Sequence, residues 1–122
     1  RITAEAGIGV WLYRFDKSAN LPQYKNYGAT HAAEMAYMFN TFDNPKSHAR
    51  EFHDRNDKNV RSVARDWSTT IASFMKFGQP SVKSIESWPA YNGKEENCLI
   101  IDDDFKVSQH VDSSHQKLWA SC

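Results

Sequence analysis

Among the side chains of this sequence that could do chemistry, His31 is set apart by its surroundings. It lies within Gly28-Ala29-Thr30-His31-Ala32-Ala33-Glu34-Met35-Ala36-Tyr37-Met38-Phe39. A glycine and small residues come before it, which lets a backbone turn tightly. Met35, Met38 and Phe39 follow at helical spacing, with Ala36 and Tyr37 filling in. The pattern predicts that His31 ends a loop just as a helix begins. A helix start presents free backbone N–H groups and favours a neutral or acid-facing imidazole. Such a ring takes up a proton near neutral pH and gives it back later, the work of a general base and acid. A structural histidine in a loop of small residues has the same local pattern, and the stretch by itself does not separate the two.

Other groups invite chemistry and lose it on inspection. His48 and His53 belong to the polar, charged stretch Lys46 to Lys58. Their spacing does not bring them to one helix face and no cysteine lies near, so a solvated loop or short helix is expected there, not a metal site. Asp102-Asp103-Asp104 has a superficial likeness to a calcium loop. It lacks the alternating oxygen ligands, the glycine and the distal glutamate of an EF-hand, and a tight turn between strands is expected. The 2 cysteines, Cys98 and Cys122, make neither a disulfide framework nor a zinc site. They can pair only if the C-terminus folds back on the strand that holds Cys98. The sequence contains no Gly-x-Ser-x-Gly elbow and no glycine cluster suited to an oxyanion hole.

The elements that must position His31 follow from the same sequence. Arg1 to Gly7 reads as the last turn of a helix closed by a glycine. A chain that opens in the tail of a helix looks cut rather than begun. Ile8 to Phe15 is a nearly continuous apolar run, interrupted by Arg14, and predicts a strand buried on both faces as in a mostly parallel sheet. Asp16 to Asn26 is a polar loop, and the helix after His31 should end near Asn40. Thr41 to Ser47 carries turn residues, among them Asp43-Asn44-Pro45.

Asp57 to Phe77 is the strongest periodic segment. Val60, Val63, Ala64, Trp67, Ile71, Phe74 and Met75 recur at three and four and predict one apolar stripe on a long helix, stopped by Gly78 and Pro80. Ser81 to Asn97 reads as an irregular connection pinned by Trp88, Pro89 and Tyr91. Leu99 to Ile101 should be a short buried strand, and Phe105 to Gln109 alternates like an edge strand. Asp112, Ser113 and Ser114 suit the cap of a final short helix with Leu118 and Trp119 on its buried side.

Composition bounds the function classes. The chain has 122 residues, with 15 Lys+Arg balanced by 15 Asp+Glu. That length makes one domain at most. A formal net charge of +0 argues against steering toward nucleic acid or an anionic membrane. No apolar run approaches the length of a membrane span.

Four stretches, in order, resemble the type-B carboxylesterases, the cholinesterase-like branch of the α/β-hydrolases. The family's catalytic-histidine pattern is roughly Gly-Ala/Val-x-His-Gly-x-Glu followed by an apolar helix ending in Phe. Gly28, His31, Glu34 and Phe39 fall on it. Ala32 stands in the place of a glycine, so the backbone just after the histidine is expected to differ slightly. Trp11-Leu12-Tyr13-Arg14-Phe15-Asp16 resembles the strand before the histidine. Phe74, Gly78 and Pro80 resemble Trp-x-x-Phe-Ala-x-x-Gly-x-Pro, with Ile71 in the Trp place and Met75 in the Ala place. Trp88-Pro89-x-Tyr91 and the run Leu99 to Trp119 resemble the closing strand pair and terminal helix.

The resemblance implies an α/β fold: residues 1–122 as the C-terminal part of one α/β-hydrolase domain, incomplete on its own. It implies a Ser-His-acid triad in which His31 is the catalytic general acid and base. Triads of this fold run in the order Ser, acid, His. The nucleophile, the oxyanion hole and the acid would therefore lie in an N-terminal portion of the same esterase, the partner of this segment. Glu34 is read as a helix-start carboxylate and not as the triad acid. No cofactor is implied. The substrate would be a small-molecule carboxylic ester, the segment alone would be inert, and a secreted or ER-lumenal setting is favoured. The same family includes cholinesterase-like adhesion proteins that have lost their catalytic residues. A non-catalytic binding module is thus the alternative, decided by the residue at the nucleophile position.

Overall fold

The computed structural model describes residues 7–111 together with Ser113 and Ser114. The helix tail expected before Gly7, the cap at Asp112, the buried Leu118 and Trp119, and Cys122 lie outside the described residues. Three four-residue strands form one sheet: β1 (Leu12–Phe15), β2 (Cys98–Ile101) and β3 (Phe105–Ser108), in that order across it. All four side chains of β2 are buried, as an unbroken apolar run in a central strand requires. β1 lies parallel to β2, Leu12 facing Cys98 and Phe15 facing Ile101. Parallel neighbours need a crossover, and here the connection holds two helices and two 3-10 turns.

β3 returns antiparallel to β2 through Asp102 to Asp104, where the Asp102 N–H donates to the Asp104 carbonyl at 3.0 Å. The expected tight turn and final strand are both present. β1 is shorter than the apolar run Ile8 to Phe15, and its residues alternate between exposed and half-buried. The expectation of a strand buried on both faces fails there. Within the described residues β1 pairs on one side only, and cover reaches only alternate side chains: Tyr13 packs on Trp67 and Phe15 on Tyr37. Val10 is spent on a different contact, its carbonyl accepting from the Tyr91 N–H at 2.6 Å. At Gly9 an added Cβ would meet the Trp11 ring at 2.8 Å, so a larger residue would force that indole to shift.

Helix α1 spans Glu34–Met38 and helix α2 spans Lys58–Phe77. Two 3-10 turns, Pro22–Tyr27 and His48–Glu51, punctuate the loops before them. α2 starts as its sequence dictates: the Asp57 carboxylate accepts from the Asn59 and Val60 N–H groups, satisfying donors that have no partner within the helix. It stops at Gly78, whose φ of 71° places it in the left-handed region that glycine enters without strain. Val60, Val63, Ala64 and Trp67 are buried, whereas Phe74, Met75 and Phe77 are exposed. The apolar stripe therefore outruns the sheet it covers within the described residues. Thr70 is fully buried, and its hydroxyl donates to the Asp66 carbonyl at 2.7 Å. The core gathers Tyr37, Phe42, Val60, Trp67, Leu99 and Ile101 between the sheet and the two helices.

Candidate functional site

His31 leaves the sheet side of the molecule by a loop and a 3-10 turn and arrives exposed, in the turn immediately before α1. That turn is closed by the Ala33 N–H on the Thr30 carbonyl at 3.1 Å and the Met35 N–H on the Ala32 carbonyl at 3.2 Å. Ala32 takes a φ of 60°. An L-residue with a Cβ is strained there by roughly 1–2 kcal/mol, while glycine is not. The altered residue thus keeps a glycine-like backbone immediately after the histidine. No side chain caps α1. Glu34 occupies its first turn, half-buried. Among the described residues no hydrogen bond to the His31 ring is formed.

The helix that carries this turn is short, and its hold on the body is made by Ala36 and Tyr37, its two buried residues. Tyr37 is fully buried. Its ring contacts Phe15, Phe42 and His53, with centroids 5.2, 4.9 and 5.2 Å away. A buried phenol needs a partner for its hydroxyl. That partner is His53, whose Nδ1 lies 2.9 Å from the Tyr37 oxygen. Burial pushes the Tyr37 hydroxyl well above its ordinary range, so it stays protonated.

His53 is 3% exposed, contrary to the solvated position expected of it. Burial and, secondly, the nearby Lys17 ammonium push its ring down to about 4. It is therefore neutral at physiological pH. With the ring proton on Nε2, the Tyr37 hydroxyl donates to Nδ1. Sequence reading missed His53 because its neighbours in the chain are charged. The signal that could have found it was Tyr37 itself, a phenol among the apolar residues of a helix whose hydroxyl needs a partner when buried.

Lys17 is a second buried polar group, 3% exposed, whose ammonium donates to Asn59 Oδ1 and Asp103 Oδ1, each at 2.6 Å. The Asn59 amide in turn donates to the Asp103 carbonyl at 2.7 Å. Asn20 joins the same end of α2, donating to Asp57 Oδ2 at 3.1 Å and accepting from the Asp54 N–H at 2.8 Å. These bonds tie the loop after β1, the start of α2 and the β2–β3 turn together. Of the Asp102 to Asp104 turn, the Asp103 carboxylate and carbonyl take part as structural acceptors. Asp57 is held below the usual carboxylate range by the Val60 N–H above all.

A cleft of about 330 Å³ opens between the His31 turn and the His48–Glu51 turn. His31, His48 and His53 all line it, with Met35, Phe39 and Phe52 supplying apolar wall. Phe39 is 62% exposed there. The structure thus brings together three histidines that the sequence separates. His48 is exposed, and its Nδ1 lies 3.4 Å from Glu51. The chemistry this arrangement can do is proton transfer at an exposed imidazole beside an apolar surface. Cys98 is buried in β2, away from this cleft lining.

Comparison with known proteins is specific. The model of the carboxylesterase family matches residues 2–119. A solved structure of a PNB esterase is 26% identical with a TM-score of 0.74, over 89% of this chain and 21% of that one. A thermophilic PNB esterase is 25% identical with a TM-score of 0.75, over the same shares of 89% and 21%. A carboxylesterase from Geobacillus stearothermophilus, 21% identical, shares the fold with a TM-score of 0.77 over 95% of this chain and 23% of that one. The chain thus spans about a fifth of the length of these relatives. No curated protein matches it by sequence.

Proposed function

The chain belongs to the carboxylesterase family, and on that premise we propose that it is the histidine-bearing segment of an enzyme that hydrolyses carboxylic esters. Its fold is part of an α/β-hydrolase. His31 is the general base and acid of that enzyme. The nucleophilic serine, the oxyanion hole and the triad acid belong to a preceding portion of the same esterase, and residues 1–122 are a C-terminal part of its α/β-hydrolase domain. The observation that carries this reading is the exposed imidazole at the head of α1, beside an apolar cleft, on the connection that leaves the carboxyl end of β1. Active-site groups of open α/β sheets are held on such connections.

The chemistry follows from the ring. His31 takes the serine proton as the serine oxygen attacks the ester carbonyl, and the oxyanion hole receives the charge. The imidazolium then protonates the departing alkoxide, leaving an acyl-enzyme. A water attacks the acyl carbon while His31 takes its proton, and the collapse returns that proton to the serine oxygen. The acid holds the other ring nitrogen and stabilises the imidazolium. Met35 and Phe39 give the substrate an apolar surface next to the reacting ring. Labelling with a serine-directed fluorophosphonate tests the reading on the complete enzyme. The label is expected on a serine outside this segment, at a rate strongly lowered by His31→Ala. An unchanged rate in that variant would remove His31 from the mechanism.

A further inference from the structure

The turn bearing His31 has little of its own to hold it. It contains a strained Ala32, and α1 has only 5 residues and no side-chain cap. A helix that short is not stable by itself, so its position is set by what Tyr37 and Ala36 are buried against. Of these two side chains, that of Tyr37 makes a directional bond, to His53. His53 belongs to a different part of the chain, between the His48–Glu51 turn and the start of α2. Its own backbone is fixed there by the His53 N–H on the Ala49 carbonyl at 2.9 Å. Its ring is doubly constrained, meeting Tyr37 edge-on and Phe42 at a centroid distance of 6.2 Å. The same ring lines the cleft that His31 lines. His53 therefore links the segment that precedes α2 to α1, the one-turn helix that follows the His31 turn.

We propose that His53 is a positioning residue for His31, acting through the Tyr37 hydroxyl, which fixes the azimuth and height of α1 and so the reach of the His31 ring. This rests on the reading of His31 as the catalytic base. The dispersion contacts of the Tyr37 ring hold α1 against the core but are not directional. The hydrogen bond to His53 adds a direction, because a misplaced hydroxyl would be left buried without a partner. A displacement on the order of 1 Å of a reacting group can cost about 10²-fold in rate. A bond that locates a catalytic helix therefore shows in kcat before it shows in substrate binding.

The test uses the complete enzyme and three variants, each checked for folding by its thermal transition. Tyr37→Phe removes the hydroxyl and keeps the ring in its aromatic surroundings. His53→Leu removes the acceptor. His53→Asn puts a polar side-chain atom back near the place of Nδ1. The expected result is a fall in kcat of about 10- to 100-fold in Tyr37→Phe and in His53→Leu, with KM within about twofold. His53→Asn should recover most of the loss. The double variant Tyr37→Phe/His53→Leu should be no worse than the poorer single one, since both delete one bond. Folded Tyr37→Phe enzyme with wild-type kcat would overturn the proposal, as would multiplying losses in the double variant. Tyr37→Phe carries the test where His53→Leu does not fold. His31→Ala is measured alongside. If it retains turnover, the catalytic reading of His31 has failed; if it is inactive while Tyr37→Phe is fully active, the positioning role alone has failed.

Discussion

Lowering the pH should destabilise this protein through His53 by an amount that can be worked out from its surroundings. The ring titrates at about 6.5 in an unfolded chain and is pushed down to about 4 in the folded one by burial and by Lys17. Between those two values the unfolded chain holds a proton that the folded protein does not. Stability from this group is therefore fully present above the unfolded value, and it is lost as pH falls toward the folded one. Each pH unit inside the window costs about 1.4 kcal/mol. The whole interval comes to roughly 3 kcal/mol, and the step from pH 7 to pH 4.5 to roughly 2 kcal/mol. That is a sizeable part of an ordinary domain's ~5–15 kcal/mol.

The assay is urea unfolding at both pH values for the wild type and for His53→Asn, which carries no titrating ring. Every other histidine and carboxylate contributes to both proteins and cancels in the comparison. The wild type should lose roughly 2 kcal/mol more than His53→Asn on acidification. Equal losses would refute the reasoning, because the ring would then not be buried neutral against Tyr37.

Other consequences follow from single side chains. Asp57→Ala removes the cap of α2 and its bond to Asn20, and should cost about 1–2 kcal/mol in denaturant unfolding. Because Asp57 titrates below its ordinary value when folded, its contribution should be lost as pH falls below about 4; Asp57→Asn should flatten that part of the acid profile. Trp67→Ala empties the centre of the core beneath Tyr13 and should cost about 3–5 kcal/mol, read as a large drop in thermal midpoint. Ala32→Val forces a β-branched residue into a left-handed backbone and should lower stability by about 1–2 kcal/mol, whereas Ala32→Gly should melt above the valine variant.

What the sequence made legible were the features set by neighbours in the chain. α2 was readable because an apolar stripe, Gly78 and Pro80 agree on one helix and where it stops. β2 was readable because a run of branched apolar residues has no other use at that length. The His31 turn was readable from small residues giving way to helical spacing. The features that escaped are set by distant partners. His53 looks solvated among charged neighbours, and its burial depends on a phenol on α1. Lys17 looks like an ordinary loop lysine, and its cover comes from Asn59 and Asp103, 42 and 86 positions away. The apolar period of α2 says which face turns inward but not how far the surface beneath it extends, so the exposure of Phe74 and Met75 was not foreseen. β1 is cut short for a related reason, since its length is that of the strand it pairs with.

The measurement that bears most directly on the account is the steady-state kcat of His31→Ala in the complete enzyme with an activated aryl ester. A fall on the order of 10⁴-fold or more, with an unchanged thermal transition, is the result the account predicts. Turnover within a few-fold of wild type in that folded variant would contradict it, and would leave the exposed imidazole at the head of α1 without a catalytic role.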